Sequence, residues 1–344
     1  MFKARATRPP AVSGAIDGTY DIRALAAETA ILTTGAGMAV GPVLLVVLGP
    51  TASGKSELAL ELARRTGGEI LSVDSMQVYR AMDVGTAKPS LEEQREVPHH
   101  LIDVVAPDEV FTVARFVELA DATIADARQR EVPLIATGGT PLYYKALFEG
   151  LFEGPPADEA LRESLRALGG EELHRRLSAV DPAAAARIHA NDERRLVRAL
   201  EVHTLTGRPI SSFQTDWEGA QHRHTAVWVG LGWEKEAINR RINARVKAMI
   251  AAGWVEEVRG LVERYGTLSP TAAEATGYAE LIAHVAGRLS LADAVEQIKI
   301  GTRQLARRQM KWFRRWGRVT WIDGELPMEE KIEQASVLWG RTAQ

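Results

Sequence analysis

The alternation of apolar and polar stretches along the chain predicts strands that are each followed by a helix. Three short, largely apolar runs, at 43–48, 69–74 and 132–138, have the length of strands that are buried in a sheet. Apolar residues recur at helical spacing between them, over Ser56–Thr66 and Phe111–Arg130. This order predicts an α/β fold in which a parallel sheet with right-handed crossovers is flanked by helices.

The pattern changes after residue 154 and predicts an inserted helical subdomain. The next stretch is rich in arginine and contains no convincing strand before 226–231. A last short strand is predicted at 318–322. The predicted organisation is an α/β core over 42–154 and 221–325, a helical insertion over 155–220 and a helical C-terminal tail over 326–344.

Residues 1–41 follow no sustained period and are expected to form a disordered extension. Asp17, Asp21 and Glu28 interrupt the first part of this segment, so its sequence does not resemble a secretory signal.

Composition narrows the classes of protein that the chain could represent. The 344 residues are 46% hydrophobic and 25% charged, as in ordinary globular proteins. The longest apolar run, Val43–Leu48, is far short of the roughly 20 residues that a membrane-spanning helix needs. The chain has no cysteine, which excludes disulfides, thiolate metal sites and cysteine nucleophiles. The net charge of −3 argues against a uniformly basic surface, but local basic patches remain compatible with it.

A glycine-rich loop between the first predicted strand and helix predicts a phosphate site. It fits the pattern G-x-x-x-x-G-K-[ST], in which backbone N–H groups and the helix N-terminus surround a di- or triphosphate. Lys55 supplies a full positive charge, and the Ser56 hydroxyl can coordinate Mg²⁺. The fold is therefore expected to be of the P-loop NTPase type. The predicted diphosphate-binding residues are Gly49, Pro50, Thr51, Ala52, Ser53, Gly54, Lys55 and Ser56.

Asp74 ends the second predicted strand. Ligands of open parallel sheets bind beyond the carboxyl ends of the strands, so Asp74 is expected near the phosphate loop. It could act as a general base or as an Mg²⁺-binding acid. On these residues alone, a small-molecule kinase that uses the loop for ATP remains open.

Six segments, taken together and in order, resemble the tRNA dimethylallyltransferases, also called IPP transferases. The similarity spans about residues 42 to 322, and the segments after the phosphate loop are the more specific ones. The segments are GPTASGKS (49–56), SVDSMQVYRAMDVGTAKP (72–89), PHHLID (98–103), ATGGTPLYYKAL (136–147), NDERRLVRALEV (191–202) and TRQLARRQMKWFR (302–314).

The resemblance implies transfer of a dimethylallyl group from dimethylallyl diphosphate to N6 of adenine 37, next to the anticodon of tRNAs that read codons beginning with U. It implies a catalytic role for Asp74 as the base, for Arg245 near the diphosphate, and for Thr140, which would also contact tRNA. The positions that match tRNA-contacting segments of the family are Asp74, Ser75, Met76, Gln77, Thr140, Arg162, Arg194, Arg195, Leu196, Val197 and Arg198.

A basic segment near the C-terminus supports an RNA partner. Residues 303–318 contain seven arginines and lysines and no acid, which suits contact with a phosphate backbone. Three aromatic residues within it, Trp312, Phe313 and Trp316, have helical spacing and are expected to pack in the core. The expected partners are a tRNA anticodon stem-loop and dimethylallyl diphosphate with Mg²⁺, and the protein is expected to be a cytoplasmic monomer.

Three alternatives stay open at this point. An adenylate isopentenyltransferase would do the same chemistry on free AMP, ADP or ATP, which would not need the helical insertion. A P-loop kinase would not need the segments around Asp74 and Thr140. An RNA-binding protein without catalysis would not need an intact Gly54-Lys55-Ser56 or Asp74.

Overall fold

The described part of the chain contains one six-stranded sheet. The structure is a computed structural model that describes residues 44–150, 154–217 and 223–340; the predicted extension over 1–41 lies outside them. All neighbouring strands are parallel, in the order β3-β2-β4-β1-β5-β6. The strands are β1 (Leu44–Leu48), β2 (Glu69–Ser72), β3 (His99–His100), β4 (Leu134–Gly138), β5 (Ala226–Gly232) and β6 (Thr320–Asp323).

Fifteen helices lie within these described ranges. Their ends follow local signals: the Thr112 hydroxyl accepts a hydrogen bond from the Arg115 N–H, so the helix that was predicted from Phe111 begins at Val113. The helices are α1 (Lys55–Thr66), α2 (Leu91–Glu96), α3 (Val113–Gln129), α4 (Pro141–Glu149), α5 (Glu159–Arg166), α6 (Gly170–Val180), α7 (Pro182–Ala185), α8 (Glu193–Thr206), α9 (Ile210–Trp217), α10 (Lys235–Ala251), α11 (Trp254–Tyr265), α12 (Pro270–Ala273), α13 (Tyr278–Val285), α14 (Leu291–Phe313) and α15 (Met328–Gly340).

Both faces of the sheet are covered, and strand β1 shows why its sequence is continuously apolar. Its alternate side chains contribute to different cores: Val46 and Leu48 belong to the larger one, which includes helices α3, α4, α10 and α14. Leu45 and Val47 belong to the smaller one, with α1 and α15. All five residues of β1 are buried. This arrangement of a parallel sheet between helices is the predicted fold class.

The chain between β4 and β5 is helical where it is described. Helices α5 to α8 have an apolar cluster of their own, which includes Leu165, Leu177 and Leu196. The sequence predicts a helical insertion in this stretch. Its bounds at 155 and 220, like those of the core and the tail, remain predictions.

Helix α14 and the turn that follows it bring aromatic residues of the basic segment to the larger core. Phe313 is buried, and the Trp316 ring lies 5.5 Å from that of Trp228. The prediction of core packing is therefore confirmed for these two residues. It is wrong for Trp312, which is 39% exposed because it faces outward on the helix. Within the described ranges, no helix is both long and apolar enough to cross a membrane.

Candidate active site

The phosphate loop joins β1 to α1 and is braced by side chains from outside it. Ala52 and Gly54 have left-handed backbones, with φ of 66° and 89°. Trp233 Nε1 donates to the Ser53 carbonyl at 3.0 Å, and Arg241 Nε donates to the Ala52 carbonyl at 2.8 Å. The Arg241 guanidinium also lies 4.6 Å from the centre of the Trp233 ring. Trp233 and Arg241 therefore stabilise the curved backbone of the phosphate loop without a bound ligand.

Lys55 is a buried cation at the start of α1. Its side chain has one contact with the loop, Nζ to the Pro50 carbonyl at 3.4 Å. Burial, and then the nearby charge of Arg245, lower its pKa to about 8, while Asp74 opposes the shift. Burial also lowers the pKa of Arg245, again opposed by Asp74. Two buried cations in one site, of which Arg245 lowers the pKa of Lys55, favour the binding of an anion.

The loops after β2 and β4 lie against each other at the carboxyl edge of the sheet. Asp74 Oδ1 accepts a hydrogen bond from the Met76 N–H at 2.9 Å, which fixes the plane of the carboxylate. Thr140 Oγ1 accepts from the Ser75 N–H at 3.0 Å and donates to the Ser75 hydroxyl at 3.2 Å. The Thr140 N–H donates to the Val73 carbonyl at 3.3 Å. The predicted residues Asp74 and Thr140 therefore belong to one hydrogen-bonded unit.

Gln77 links this unit to the segment that contains Gly85 and Lys88. Its Oε1 accepts from the Ser72 hydroxyl at 2.8 Å, and its Nε2 donates to the Ala87 carbonyl at 3.2 Å. The amide is thus engaged at both ends. In this structure, the Oε1 and Nε2 atoms of Gln77, which could bind a nucleotide, instead hold together the segments that line the site.

Glu257 holds the same segment from the other side. Its carboxylate accepts hydrogen bonds from the backbone N–H groups of Asp83 at 2.8 Å, Val84 at 2.6 Å and Gly85 at 3.2 Å. The Tyr278 hydroxyl donates to it at 2.6 Å. Gly85 has no room for a side chain, because a Cβ there would overlap Trp254 and Tyr278. The SVDSMQVYRAMDVGTAKP segment is therefore fixed in place largely by residues that are distant in sequence.

One cavity of about 530 Å³ connects these elements. Its polar end contains the phosphate loop and the loops after β2 and β4. Side chains of α10 and α14 form an apolar wall, with Ile242, Val246, Met249 and Leu305. The predicted site residues that line the cavity are Thr51, Lys55, Ser56, Asp74, Ser75, Met76, Gln77, Thr140 and Arg245.

The predicted arginines of the helical segment have two different environments. Arg194 and Arg195 are 73% and 69% exposed at the side chain, and Arg194 pairs with Glu274 at 2.5 Å. Glu274 lines the cavity, so Arg194 lies at its edge. Arg162 and Arg198 instead hold the fully buried carboxylate of Glu201, at 2.9 and 2.6 Å.

Leu196 and Val197 face away from solvent. Both side chains are buried in the apolar cluster of the helical segment. A contact between this part of α8 and RNA would therefore come from the arginines beside them.

Four residues that contact the loops of the site were not found from the sequence: Trp233, Arg241, Glu257 and Gln309. Gln309 lies within the LARRQ stretch, which resembles the family, but nothing in the local pattern says what its side chain touches. It bonds the Thr51 N–H at 2.8 Å and the Gly139 carbonyl at 2.6 Å.

Comparison with known proteins identifies the family. The model of the IPP transferase family matches residues 77–316. A protein named tRNA dimethylallyltransferase, from Geobacter metallireducens, is 52% identical over 284 residues, which are 81% of this chain and 92% of that protein. The chain belongs to the IPP transferase family. A relative of the same name from Geobacillus kaustophilus is 47% identical over 81% of this chain and 89% of its own length.

Solved structures of IPP transferases have the same fold. The full-length tRNA isopentenylpyrophosphate transferase from Bacillus halodurans superposes with a TM-score of 0.65 at 38% identity, covering 87% of this chain and 96% of that one. A eukaryotic dimethylallyltransferase acting on tRNA superposes with a TM-score of 0.71 at 28% identity, covering 83% and 74%. The prediction of the family and that of the fold class are thus confirmed.

Proposed function

We propose that the protein transfers the dimethylallyl group of dimethylallyl diphosphate to N6 of adenine 37 in tRNAs that read codons beginning with U. A bond forms between N6 and the allylic carbon, and the bond between that carbon and the diphosphate oxygen breaks. N6 gives up one proton, and diphosphate leaves. The observation that carries the proposal is the single cavity shared by the phosphate loop, with its two cations, and the loops that bear Asp74 and Thr140.

The diphosphate is assigned to the polar end of the cavity. Lys55 and Arg245 lie there with the N-terminus of α1, and each is buried enough for its pKa to fall. As the allylic bond breaks, negative charge grows on the leaving diphosphate. Fixed positive groups in a partly dry site stabilise that charge more in the transition state than in the ground state.

The dimethylallyl group is assigned to the apolar wall. Ile242, Val246 and Met249 recur at helical spacing along α10, so this helix supplies most of the wall, with Leu305 of α14 beside it. Arg245 lies in the same stretch of α10 and lines the same cavity. One helix thus offers both a hydrocarbon surface and a cation, which is the pairing that a prenyl diphosphate requires.

Asp74 is assigned as the group that takes the N6 proton. An exocyclic adenine amine is a poor nucleophile because its lone pair is delocalised into the ring, so a proton acceptor helps the new bond to form. The Met76 N–H occupies Oδ1 of Asp74 at 2.9 Å. Among the described residues Oδ2 has no hydrogen-bond partner and remains available to the substrate amine.

The phosphate loop alone offers too few oxygen ligands for Mg²⁺, so the ion would bind there together with the diphosphate of the substrate. Ser56 is exposed and lines the cavity, and no group of three or more His, Cys, Asp or Glu side chains able to hold a metal occurs in the described ranges. Mg²⁺ prefers one or two protein oxygens completed by phosphate oxygens and water. Ser56 would hold the ion, which would then add positive charge beside the leaving diphosphate.

The RNA is assigned to the face that bears the exposed arginines. Arg194 and Arg195 project from α8, and Arg194 reaches Glu274 at the cavity edge. An anticodon loop is single-stranded, so presenting one of its bases to the cavity costs less than flipping a base from a duplex. A cytoplasmic monomer that acts on tRNA is part of the same proposal.

A transfer assay separates this proposal from its alternatives. The protein would be incubated with labelled dimethylallyl diphosphate and Mg²⁺, and offered an unmodified tRNA with A36 and A37, the same tRNA with guanosine at position 37, or AMP and ATP. Label on the A37 tRNA alone supports the proposal. Label on AMP or ATP indicates an adenylate isopentenyltransferase. No prenyl transfer, with phosphate transfer from ATP to a small molecule, indicates a kinase.

A further inference from the structure

We infer that Gln309 is a positioning residue that sets the phosphate loop at a fixed distance from the loop that carries Thr140. This inference rests on the proposed function, because it concerns how the two substrates meet. The side chain of Gln309 bonds to both loops at once. Oε1 accepts from the Thr51 N–H at 2.8 Å, and Nε2 donates to the Gly139 carbonyl at 2.6 Å.

The orientation of this amide is set by its partners. The Thr51 N–H can only donate and the Gly139 carbonyl can only accept, so a flipped amide would lose both bonds. Gln309 is 5% exposed, so water has little access to replace either one. Of the common side chains of similar length, only glutamine or a protonated glutamate accepts at one atom and donates at the other. The bridge therefore depends on the chemistry of this residue as well as on its size.

The absence of a side chain at Gly139 makes room for this contact. A Cβ at this position would lie 2.5 Å from Gln309 Nε2, so any other residue would push the amide away. Thr140, the next residue, bonds to Ser75, which follows Asp74 directly. A continuous series of hydrogen bonds thus runs from the phosphate loop through Gln309 and the loop after β4 to the segment that holds the proposed base.

Helix α14 gives the bridge a rigid base. Gln309 lies on the buried side of this helix of 23 residues, while Arg307, Arg308 and Lys311 are exposed on its other side. In the proposed complex, the diphosphate bound at the phosphate loop carries the electrophilic carbon. Asp74, the proposed base, lies at the other end of this series of hydrogen bonds. Errors of about 1 Å in such relative positions cost on the order of 10²-fold in rate without any loss of binding contacts.

Two variants test this role. In Gln309→Met the length is kept and both hydrogen bonds are lost. Its kcat for prenyl transfer to A37 tRNA is expected to fall about 10- to 100-fold, while the Kd values for dimethylallyl diphosphate and for tRNA stay within about threefold of the wild type. Gln297→Met is the matched control, since Gln297 is exposed on the same helix and outside the basic segment. Thermal unfolding shows whether each variant is folded at the assay temperature. The measured concentration of diphosphate-binding sites, used as the enzyme concentration, corrects kcat for any unfolded fraction.

The pH dependence of kcat in Gln309→Glu distinguishes the bridge from a purely structural role. The introduced carboxyl can bridge both partners only when it is protonated. The ratio of its kcat to that of the wild type is therefore expected to rise as the pH falls from 8 to 6. A ratio near one at every pH, beside a slow Gln309→Met, also supports the bridge, because a carboxyl that stays neutral when buried mimics the amide.

Other results would overturn the inference. One is a Gln309→Met variant whose kcat stays within threefold of the wild type. Others are a loss that appears only in KM, or a slow Gln309→Glu whose ratio does not change with pH. These outcomes are read against the wild type, which must itself prenylate A37 tRNA. If the wild type does not, the proposed function fails; if it does and Gln309→Met is normal, only the bridge fails.

Discussion

The hydroxyl of Thr140 accepts a hydrogen bond from the backbone N–H of Ser75 at 3.0 Å and donates one to the Ser75 hydroxyl at 3.2 Å. One side chain after β4 thereby satisfies two groups of the loop after β2. The loop bearing Asp74 begins directly after β2 at the carboxyl edge of the sheet, where regular strand pairing has ended. Thr140 replaces that pairing and gives Asp74 a fixed position relative to the rest of the cavity.

Removing this hydroxyl is expected to slow the reaction more than it weakens binding. Thr140→Val keeps the shape and loses both hydrogen bonds, so we expect kcat to fall about 10-fold or more with Kd for tRNA changed by less than about threefold. Thr140→Ser keeps the hydroxyl and is the matched control, expected within about threefold of the wild type. Single-turnover rates with saturating tRNA would measure this. If Thr140→Val and Thr140→Ser behave alike, the hydroxyl has no such role.

Asp74→Asn tests the proposed base with little disturbance of structure. The amide oxygen of asparagine can still accept from the Met76 N–H, which Asp74 does at 2.9 Å, but the amide cannot take up a proton. We expect kcat to fall by about 10²- to 10⁴-fold with tRNA affinity nearly unchanged. Rapid-quench measurement of prenylated tRNA, with tRNA binding measured in parallel, checks both parts. Turnover close to the wild type would remove Asp74 from this role.

The parts of the site that the sequence predicts are those carried by a continuous motif. The phosphate loop must follow a strand and begin a helix, so Gly49–Ser56 could be placed from local pattern alone. Asp74 could be placed because all strands of a parallel sheet end at one edge. Trp233 and Arg241 brace the same loop from more than 150 residues away, and no local pattern reports such a contact.

The arginines show a second limit of sequence reasoning. From the sequence alone, Arg162, Arg194 and Arg198 cannot be told apart. In the structure, Arg162 and Arg198 neutralise Glu201, whose side chain is fully buried. A buried carboxylate without its partners would be costly, so these two arginines have a structural role whatever else they touch. Only the packing of α8 against α5 separates them from the exposed Arg194. The same reasoning applies to Trp312, whose helical spacing did not tell which side of α14 it faces.

The pKa of Lys55 predicts how diphosphate binding depends on pH. Because burial and Arg245 lower this pKa to about 8, about half of the free protein carries a neutral Lys55 at that pH and most of it does at higher pH. An anion favours the charged form, so binding is expected to take up about 0.1 proton at pH 7 and about 0.8 at pH 8.5. Kd for dimethylallyl diphosphate should accordingly rise with pH above 8.

Calorimetry without tRNA, in two buffers of different ionisation enthalpy, measures this proton uptake. Lys55→Arg is the control, since a guanidinium stays charged throughout the range. Any proton uptake that remains in this variant belongs to the ligand or to other groups and can be subtracted. Equal uptake in the wild type and in Lys55→Arg would show that Lys55 takes up no proton on binding, which contradicts the prediction.

The exposed arginines of α8 are expected to contact phosphates of the RNA. Arg194 and Arg195 are the pair to reverse, because reversing Arg198 would leave the buried Glu201 uncompensated. In the double variant Arg194→Glu, Arg195→Glu we expect tRNA binding to weaken at least about 10-fold at low salt. The slope of log Kd against log salt concentration should flatten by about 2, since each lost phosphate contact removes about one released counterion.

A second charge reversal in the same helical segment separates this contact from a general effect of charge. Arg175 and Arg176 lie on α6 and are 71% and 48% exposed at the side chain, so Arg175→Glu, Arg176→Glu changes the net charge by the same amount. We expect that variant to keep most of the wild-type slope, because local contacts with phosphate, and not the net charge, set the number of counterions released. Equal flattening in both double variants would mean that α8 holds no specific contact. An unchanged slope in the α8 variant would mean that its arginines do not meet the phosphates at all.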